Sequence, residues 1–148
     1  MDGLREYIER VLVLEDCCVK CCAMAPRHLE DLVEELDETF SQSLFRLIDQ
    51  KGFEDCDVYK RAFVDRRLFS KIKKDPYYHP KKKTAVAFVL ALRLNLDEAL
   101  DLLMRAGYTL SHSDVFDIVI EYCIVNEMYD LHVVNECLNE FDQPLLGV

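Results

Sequence analysis

Apolar residues recur every three to four positions along nearly the whole chain, and no stretch alternates apolar with polar residues as a strand would. Only four glycines and four prolines interrupt this spacing. The pattern predicts an all-α protein. Its helices are expected over about residues 3–15, 28–50, 55–62, 66–74, 82–94, 97–106, 113–126 and 131–141.

The longest of these stretches, residues 28–50, admits two interpretations. Its apolar residues keep one helical stripe from Leu29 onward, which favours a single helix. However, Asp37, Glu38 and Thr39 lie in its middle, and such side chains are favoured where a new helix begins. Either one long helix or two helices that meet near Asp37 would satisfy the pattern.

Charge is unevenly distributed along this acidic chain. Its 148 residues carry a formal net charge of −10, yet ten lysines and arginines between Lys60 and Lys83 oppose only Asp65 and Asp75, a local balance of +8. Interspersed signs would serve solubility better than this segregation. The basic stretch therefore indicates a surface that meets an anionic partner.

Three features of the sequence bear on localisation. The longest apolar run, Ala85–Leu92, is far shorter than the roughly 20 residues of a membrane-spanning helix. The first residues lack the cationic and apolar regions of a secretory signal. Seven cysteines, an odd number without disulfide-like spacing, favour a reducing compartment. We therefore expect a cytoplasmic protein that does not enter a membrane.

Four of the cysteines lie together between Cys17 and Cys22. Cys18 and Cys21 form one Cys-x-x-Cys pair and are weak candidates for a metal, but structural zinc sites take two separated pairs and no second pair follows. Reduced thiols are the simplest interpretation, and a metal or redox role and a disulfide or lipid attachment are the alternatives. We expect no metal and no cofactor.

Motifs of catalysis are missing from the sequence. It contains no glycine-rich phosphate loop, no nucleophile elbow and no His-Glu-x-x-His pattern. The four histidines, at positions 28, 79, 112 and 132, lie where helix capping or surface placement explains them. We expect that the protein is not an enzyme.

A short helix, a tight connection and a second short helix capped by Asp65 are predicted between Val58 and Pro76. The informative positions here and downstream are Val58, Asp65, Ser70-Lys71-Ile72, Pro80, Leu92 and Leu96-Asp97-Glu98. With these residues the chain resembles, over about residues 38–106, the XRE-like helix-turn-helix class to which the Cro and lambda repressors belong. The resemblance implies a lambda-repressor-like five-helix core over residues 38–110 that binds double-stranded DNA.

The resemblance also implies roles for the second helix, residues 66–74. In this class the positions matching Arg66, Arg67 and Lys71 read base edges in the major groove, and Ser70 lies on an exposed face beside them. Arginine suits this role because its fork can bond guanine O6 and N7 together. The remaining candidates would contact phosphates: Lys60, Lys73, Lys74, Lys81, Lys82 and Lys83. The alternative is a solvated cationic face without a ligand.

The chain departs from the class at several positions. Phe63 stands where the class has a turn glycine, and Tyr59 stands where it prefers a small residue. Because positive φ strains a bulky residue, Phe63 predicts a turn of different geometry. Glu54, Asp55 and Asp57 open the first helix, where they suit the helix dipole but would repel a phosphate backbone. The competing interpretation is a protein-interaction module that keeps the fold without binding DNA.

Residues 111–148 resemble, with lower specificity, a helical hairpin that follows XRE-like domains in poorly characterised bacterial proteins, some of them fused to macro domains. This resemblance implies a bacterial regulator or a recognition module that works beside an effector. The apolar stripes of the hairpin would pack either on the core or against a second copy in a homodimer. They comprise Val115, Ile118, Val119 and Tyr122, then Leu131, Val134 and Leu138.

Residues 1–37 are predicted to form an acidic helical extension. Over residues 1–40, four basic residues oppose eleven acidic ones, a balance of −7. The basic stretch could therefore meet this extension, or an acidic protein partner, instead of DNA. If the extension masks the basic surface, deleting residues 1–37 should raise DNA affinity, and unchanged affinity would contradict that hypothesis.

Overall fold

The computed structural model describes residues 28–34 and 36–147. Within these residues it contains eight α-helices and no strand, so the predicted all-α class is confirmed. The helices are α1 (Leu29–Glu34), α2 (Phe40–Lys51), α3 (Asp55–Arg61), α4 (Arg66–Lys74), α5 (Lys82–Ala91), α6 (Leu96–Arg105), α7 (Val115–Val125) and α8 (Leu131–Glu140). The helix expected over residues 3–15 and the cysteines between Cys17 and Cys22 lie outside the described residues.

The stretch from 28 to 50 forms two helices, α1 and α2, rather than one. Thr39 begins α2 with a capping box. Its Oγ1 accepts a hydrogen bond from Gln42 N at 3.3 Å, while its own N donates to Gln42 Oε1 at 3.0 Å. Both bonds satisfy amides that have no partner inside the helix. The unit that contains α1 ends at Asp37, and the residues from Glu38 onward form a second unit.

The second unit is organised around α5, whose residues Ala85–Ala91 are all buried. This helix contacts α3, α6 and α8, and the remaining helices pack on these. The ring of Phe88 lies 6.3 Å from that of Phe40 on α2 and 6.1 Å from that of Phe69 on α4, measured between centroids. The apolar run that is too short to cross a membrane is thus the central helix of the core.

Six of the seven helices from α2 to α8 end in the same way. A residue one or two positions past the end of the helix takes positive φ, and two backbone N–H groups donate to carbonyls of the last turn. This arrangement is the Schellman motif, which normally uses glycine. Here glycine occupies only two of the six positions, and the positive-φ residues are Gly52, Phe63, Arg93, Gly107, Glu127 and Asp142.

The residues after α8 fold back on the second unit. Leu146 is fully buried, and its N and O atoms form hydrogen bonds with the side chain of Asn135 at 2.8 and 3.1 Å. Gly147 lies so close to Phe63 that an added Cβ would come within 2.6 Å of the Phe63 side chain. The end of the chain therefore packs against the connection between α3 and α4.

Candidate nucleic-acid interface

Helices α3 and α4, with the connection between them, occupy the position where the sequence predicts a helix-turn-helix. Val58 on α3 and Phe69 and Ile72 on α4 are buried. The ring of Phe69 is surrounded by aromatic rings, with the centroid of Tyr59 at 5.3 Å and that of Phe45 at 5.4 Å. Because these apolar side chains fix the inner side of α4, its charged side chains must face outward.

The connection between α3 and α4 keeps the positive φ that was not expected of a bulky residue. Phe63 itself has φ 55°, so the predicted change of turn geometry is wrong. The Phe63 ring lies 5.0 Å from the ring of His132 on α8 and packs against Gly147. These contacts offset the strain of the left-handed conformation, which costs on the order of 1 kcal/mol.

The outward side of α4 brings together five of the residues predicted to bind DNA. Together with Asp75 they line one shallow depression of about 520 Å³. We call this surface the α4 face, and it comprises Arg66, Arg67, Ser70, Lys71 and Lys74. Its four cations are exposed, and none forms an ion pair with a carboxylate of the described residues. The α4 face therefore carries four cations without an ion pair to those residues, and Asp75 is the one carboxylate that lines the same depression.

Lys73 lies on α4 but does not belong to this face. Its Nζ is 3.0 Å from Asp55 Oδ2 at the start of α3 and 5.8 Å from the centroid of the Phe45 ring. The structure thus gives Lys73 a role in joining α3 to α4. The same ion pair compensates one of the three acids that open α3, whereas Glu54 and Asp57 remain exposed.

Three consecutive lysines, all predicted from the sequence to contact phosphates, have different surroundings. Nζ of Lys82 lies 2.7 Å from Oδ1 of Asp117 on α7, whose side chain is only 2% exposed. The other oxygen of Asp117 accepts a hydrogen bond from Ser111 N at 2.9 Å. The structure therefore pairs Lys82 with a buried carboxylate, a partner that the sequence did not predict for it. Lys81 and Lys83 are exposed at the start of α5.

Lys60 is also separated from the α4 face. It lines a second depression, of about 960 Å³, together with Arg61, Arg93 and the acidic side chains of Glu127 and Asp130. This depression carries both signs of charge, unlike the α4 face. Lys60 therefore lies on a different surface from the α4 face, with which the sequence prediction grouped it.

Cys56 lies one turn before Lys60 on α3. A hydrogen bond from the hydroxyl of Tyr59 and a second from Lys60 hold the pKa of the Cys56 thiol below its usual value. In contrast, burial raises the pKa of Cys123 on α7 to about 12. No group of three or more metal-binding side chains occurs among residues 28–34 and 36–147, while Cys18 and Cys21 fall outside that range.

Tyr77 was not among the candidate binding residues predicted from the sequence. Its side chain is 77% exposed in the loop that follows α4. The loop is anchored at both ends. The carbonyl of Asp75 accepts a hydrogen bond from Ser41 Oγ at 3.2 Å, and that of Pro80 accepts one from the Tyr108 hydroxyl at 2.9 Å. The available signal was an aromatic pair, Tyr77-Tyr78, set between two prolines and flanked by lysines.

Among the described residues, no helix has both the length and the apolar character to cross a membrane. Comparisons of the chain with protein-family models, curated proteins and solved structures find no match.

Proposed function

We propose that this protein binds double-stranded nucleic acid, most simply DNA, with the α4 face directed into the major groove. The observation that carries the proposal is the α4 face itself: four exposed cations and a hydroxyl on one side of a helix whose other side is anchored in the core. An α-helix fits the major groove, and arginine side chains can bond two guanine acceptors at once.

Within this proposal, the cations have two roles. Arg66, Arg67 and Lys71 contact base edges, with Ser70 as a smaller polar contact. Lys74, Lys81 and Lys83 contact phosphates and give affinity without sequence preference. If all six cations displace counterions, log K falls against log salt concentration with a slope of about −5, and fewer phosphate contacts make the slope shallower. Because Asp55 is already paired with Lys73, it opposes DNA less than the sequence alone suggests.

The proposal is tested by fluorescence anisotropy of a labelled random-sequence duplex between roughly 50 and 200 mM salt. The test variant is Arg66→Ala/Arg67→Ala/Lys71→Ala. The control variant, Lys60→Ala/Arg61→Ala/Arg93→Ala, removes the same charge from the second depression. We expect salt-dependent binding that the test variant loses and the control largely keeps.

Equal weakening by the two triple variants would mean that net charge alone drives binding, and it would contradict a role for the α4 face. No binding at about 50 mM salt would contradict nucleic-acid binding itself. The alternative function is then a protein-interaction module. The exposed acids Glu54 and Asp57, near a basic surface, favour for that module a partner that carries charges of both signs.

A further inference from the structure

Helix α7 has two apolar faces, and only one of them packs on the core. The buried face contains Phe116, Val119, Ile120, Cys123 and Ile124. The other face consists of Val115, Ile118, Tyr122 and Val125, whose side chains are 44% to 61% exposed. These four residues, called here the α7 stripe, follow one another at steps of three, four and three and therefore share one side of the helix.

Both carboxylates of α7 contact side chains of the same chain. Asp117 pairs with Lys82 on the core side, and Oε2 of Glu121 lies 2.6 Å from Nε2 of His112 beside the stripe. The stripe itself carries no charge. A helix that is apolar on nearly all sides is normally buried on all sides, so the composition of α7 indicates that its second face is also covered.

We propose that the α7 stripe is the contact between two copies of this chain, packed antiparallel about a two-fold axis. The order of the stripe, Val-Ile-Tyr-Val with steps of three, four and three, has the same spacing in both directions. An axis through the midpoint between Ile118 and Tyr122 places Ile118 opposite the partner's Tyr122. It likewise places Val115 opposite the partner's Val125, so the surface is complementary to itself, as a two-fold interface requires.

The size of the stripe determines how tight this contact can be. Its side chains expose on the order of 400 Å² per copy, a size that is often functional on monomeric proteins. Two copies would bury about 800 Å² through the stripe, less than the roughly 1,200 Å² of specific, stable complexes. We therefore expect a weak, reversible dimer. Its formation does not depend on nucleic acid and holds whether or not the α4 face binds DNA.

Sedimentation equilibrium on the full chain up to about 200 µM tests the contact in the concentration range of weak association. Wild type should show a concentration-dependent dimer, and Ile118→Glu/Tyr122→Glu should remain monomeric. Met104→Glu is the control for a single added charge, because Met104 is 65% exposed on α6 and outside the stripe. A monomeric wild type, or a dimer that persists in the double variant, would overturn the proposal.

The antiparallel arrangement has its own test. Val115→Lys and Val125→Glu should each abolish the dimer, because each places an unpaired charge against a valine. The combination Val115→Lys/Val125→Glu should restore it, since each lysine then meets the partner's glutamate at both ends of the contact. In a parallel pair each substitution would meet its own copy, so failure of the combination to restore the dimer would overturn the antiparallel packing. Far-ultraviolet circular dichroism confirms that each variant is folded.

Discussion

Adjacent lysines on α5 provide a sharp test of the charge assignments. Lys82 pairs with buried Asp117, whereas its neighbour Lys83 is exposed and has no partner among the described carboxylates. Lys82→Met and Lys83→Met remove the same charge and introduce the same side chain one position apart. Methionine forms helices about as readily as lysine, so helix propensity does not distinguish the two variants.

The expected cost of Lys82→Met follows from the surroundings of Asp117. Breaking a buried ion pair by removing one partner costs about 3–5 kcal/mol. The lysine side chain is 30% exposed, which places the expected loss at the lower end of this range. We expect a loss of about 3 kcal/mol in the free energy of unfolding.

Urea denaturation followed by far-ultraviolet circular dichroism measures this difference. Lys83→Met should stay within about 0.5 kcal/mol of wild type, as exposed substitutions usually do. Lys82→Met/Asp117→Asn should recover much of the loss, because the amide is uncharged and can still accept the hydrogen bond from Ser111 N. Equal stabilities for the two single variants, or no recovery in the double variant, would refute the assignment of Lys82 to a buried pair.

The remaining predictions concern the loop, one turn and one thiol. If the Tyr77 hydroxyl donates a hydrogen bond to a phosphate, Tyr77→Ala and Tyr77→Phe should both weaken duplex binding by about threefold to tenfold and leave the salt slope unchanged. Fluorescence anisotropy measures the affinity, and an unaltered affinity in either variant would exclude this contact. Glu127→Gly should raise the free energy of unfolding by about 1 kcal/mol, because Glu127 is exposed and has φ 57°, a conformation that glycine adopts without strain. A lower stability of this variant in urea would show that the Glu127 side chain stabilises the fold. The lowered pKa of Cys56 leaves more thiolate near neutral pH, whereas the pKa of Cys123 is about 12, so iodoacetamide should alkylate Cys56 well before Cys123. Lys60→Met should slow the alkylation of Cys56, because Lys60 helps to lower the pKa of this thiol. Peptide mass spectrometry at about pH 7.5 measures these rates, and faster labelling of Cys123 would contradict the order.

Local features of the fold were readable from the sequence because they depend on neighbours in the chain. The three-to-four spacing predicts the helices from α2 to α8, and Asp65 occupies the predicted N-cap position of α4, although its side chain forms no capping hydrogen bond. Phe69 and Ile72, three positions apart in the sequence, likewise lie together on the buried side of α4. These signals extend over one or two helical turns, which is the range in which sequence spacing determines contact.

Pairing between distant residues was not readable in this way. Lys82 and Lys83 are indistinguishable by sequence, and the carboxylate that separates their roles lies 35 positions beyond Lys82. Lys73 likewise meets Asp55, 18 positions earlier. The apolar residues predicted to share one face of the first hairpin helix also have different environments, since Val119 is buried and Ile118 is exposed. Apolar composition shows that a helix face is to be covered, but core and interface residues have the same chemistry.

The ion pair between Lys82 and Asp117 also affects how the molecule opens. Separating α7 from α5 while the rest of the core stays folded would break this ion pair and expose the buried side of α7, which contains Phe116, Val119, Ile120, Cys123 and Ile124. A partly open form without the C-terminal hairpin is therefore disfavoured relative to complete unfolding. As a result, the amides of α7 should exchange their hydrogens about as slowly as those of the central helix α5, and the hairpin and the basic helices should lose structure as one cooperative unit.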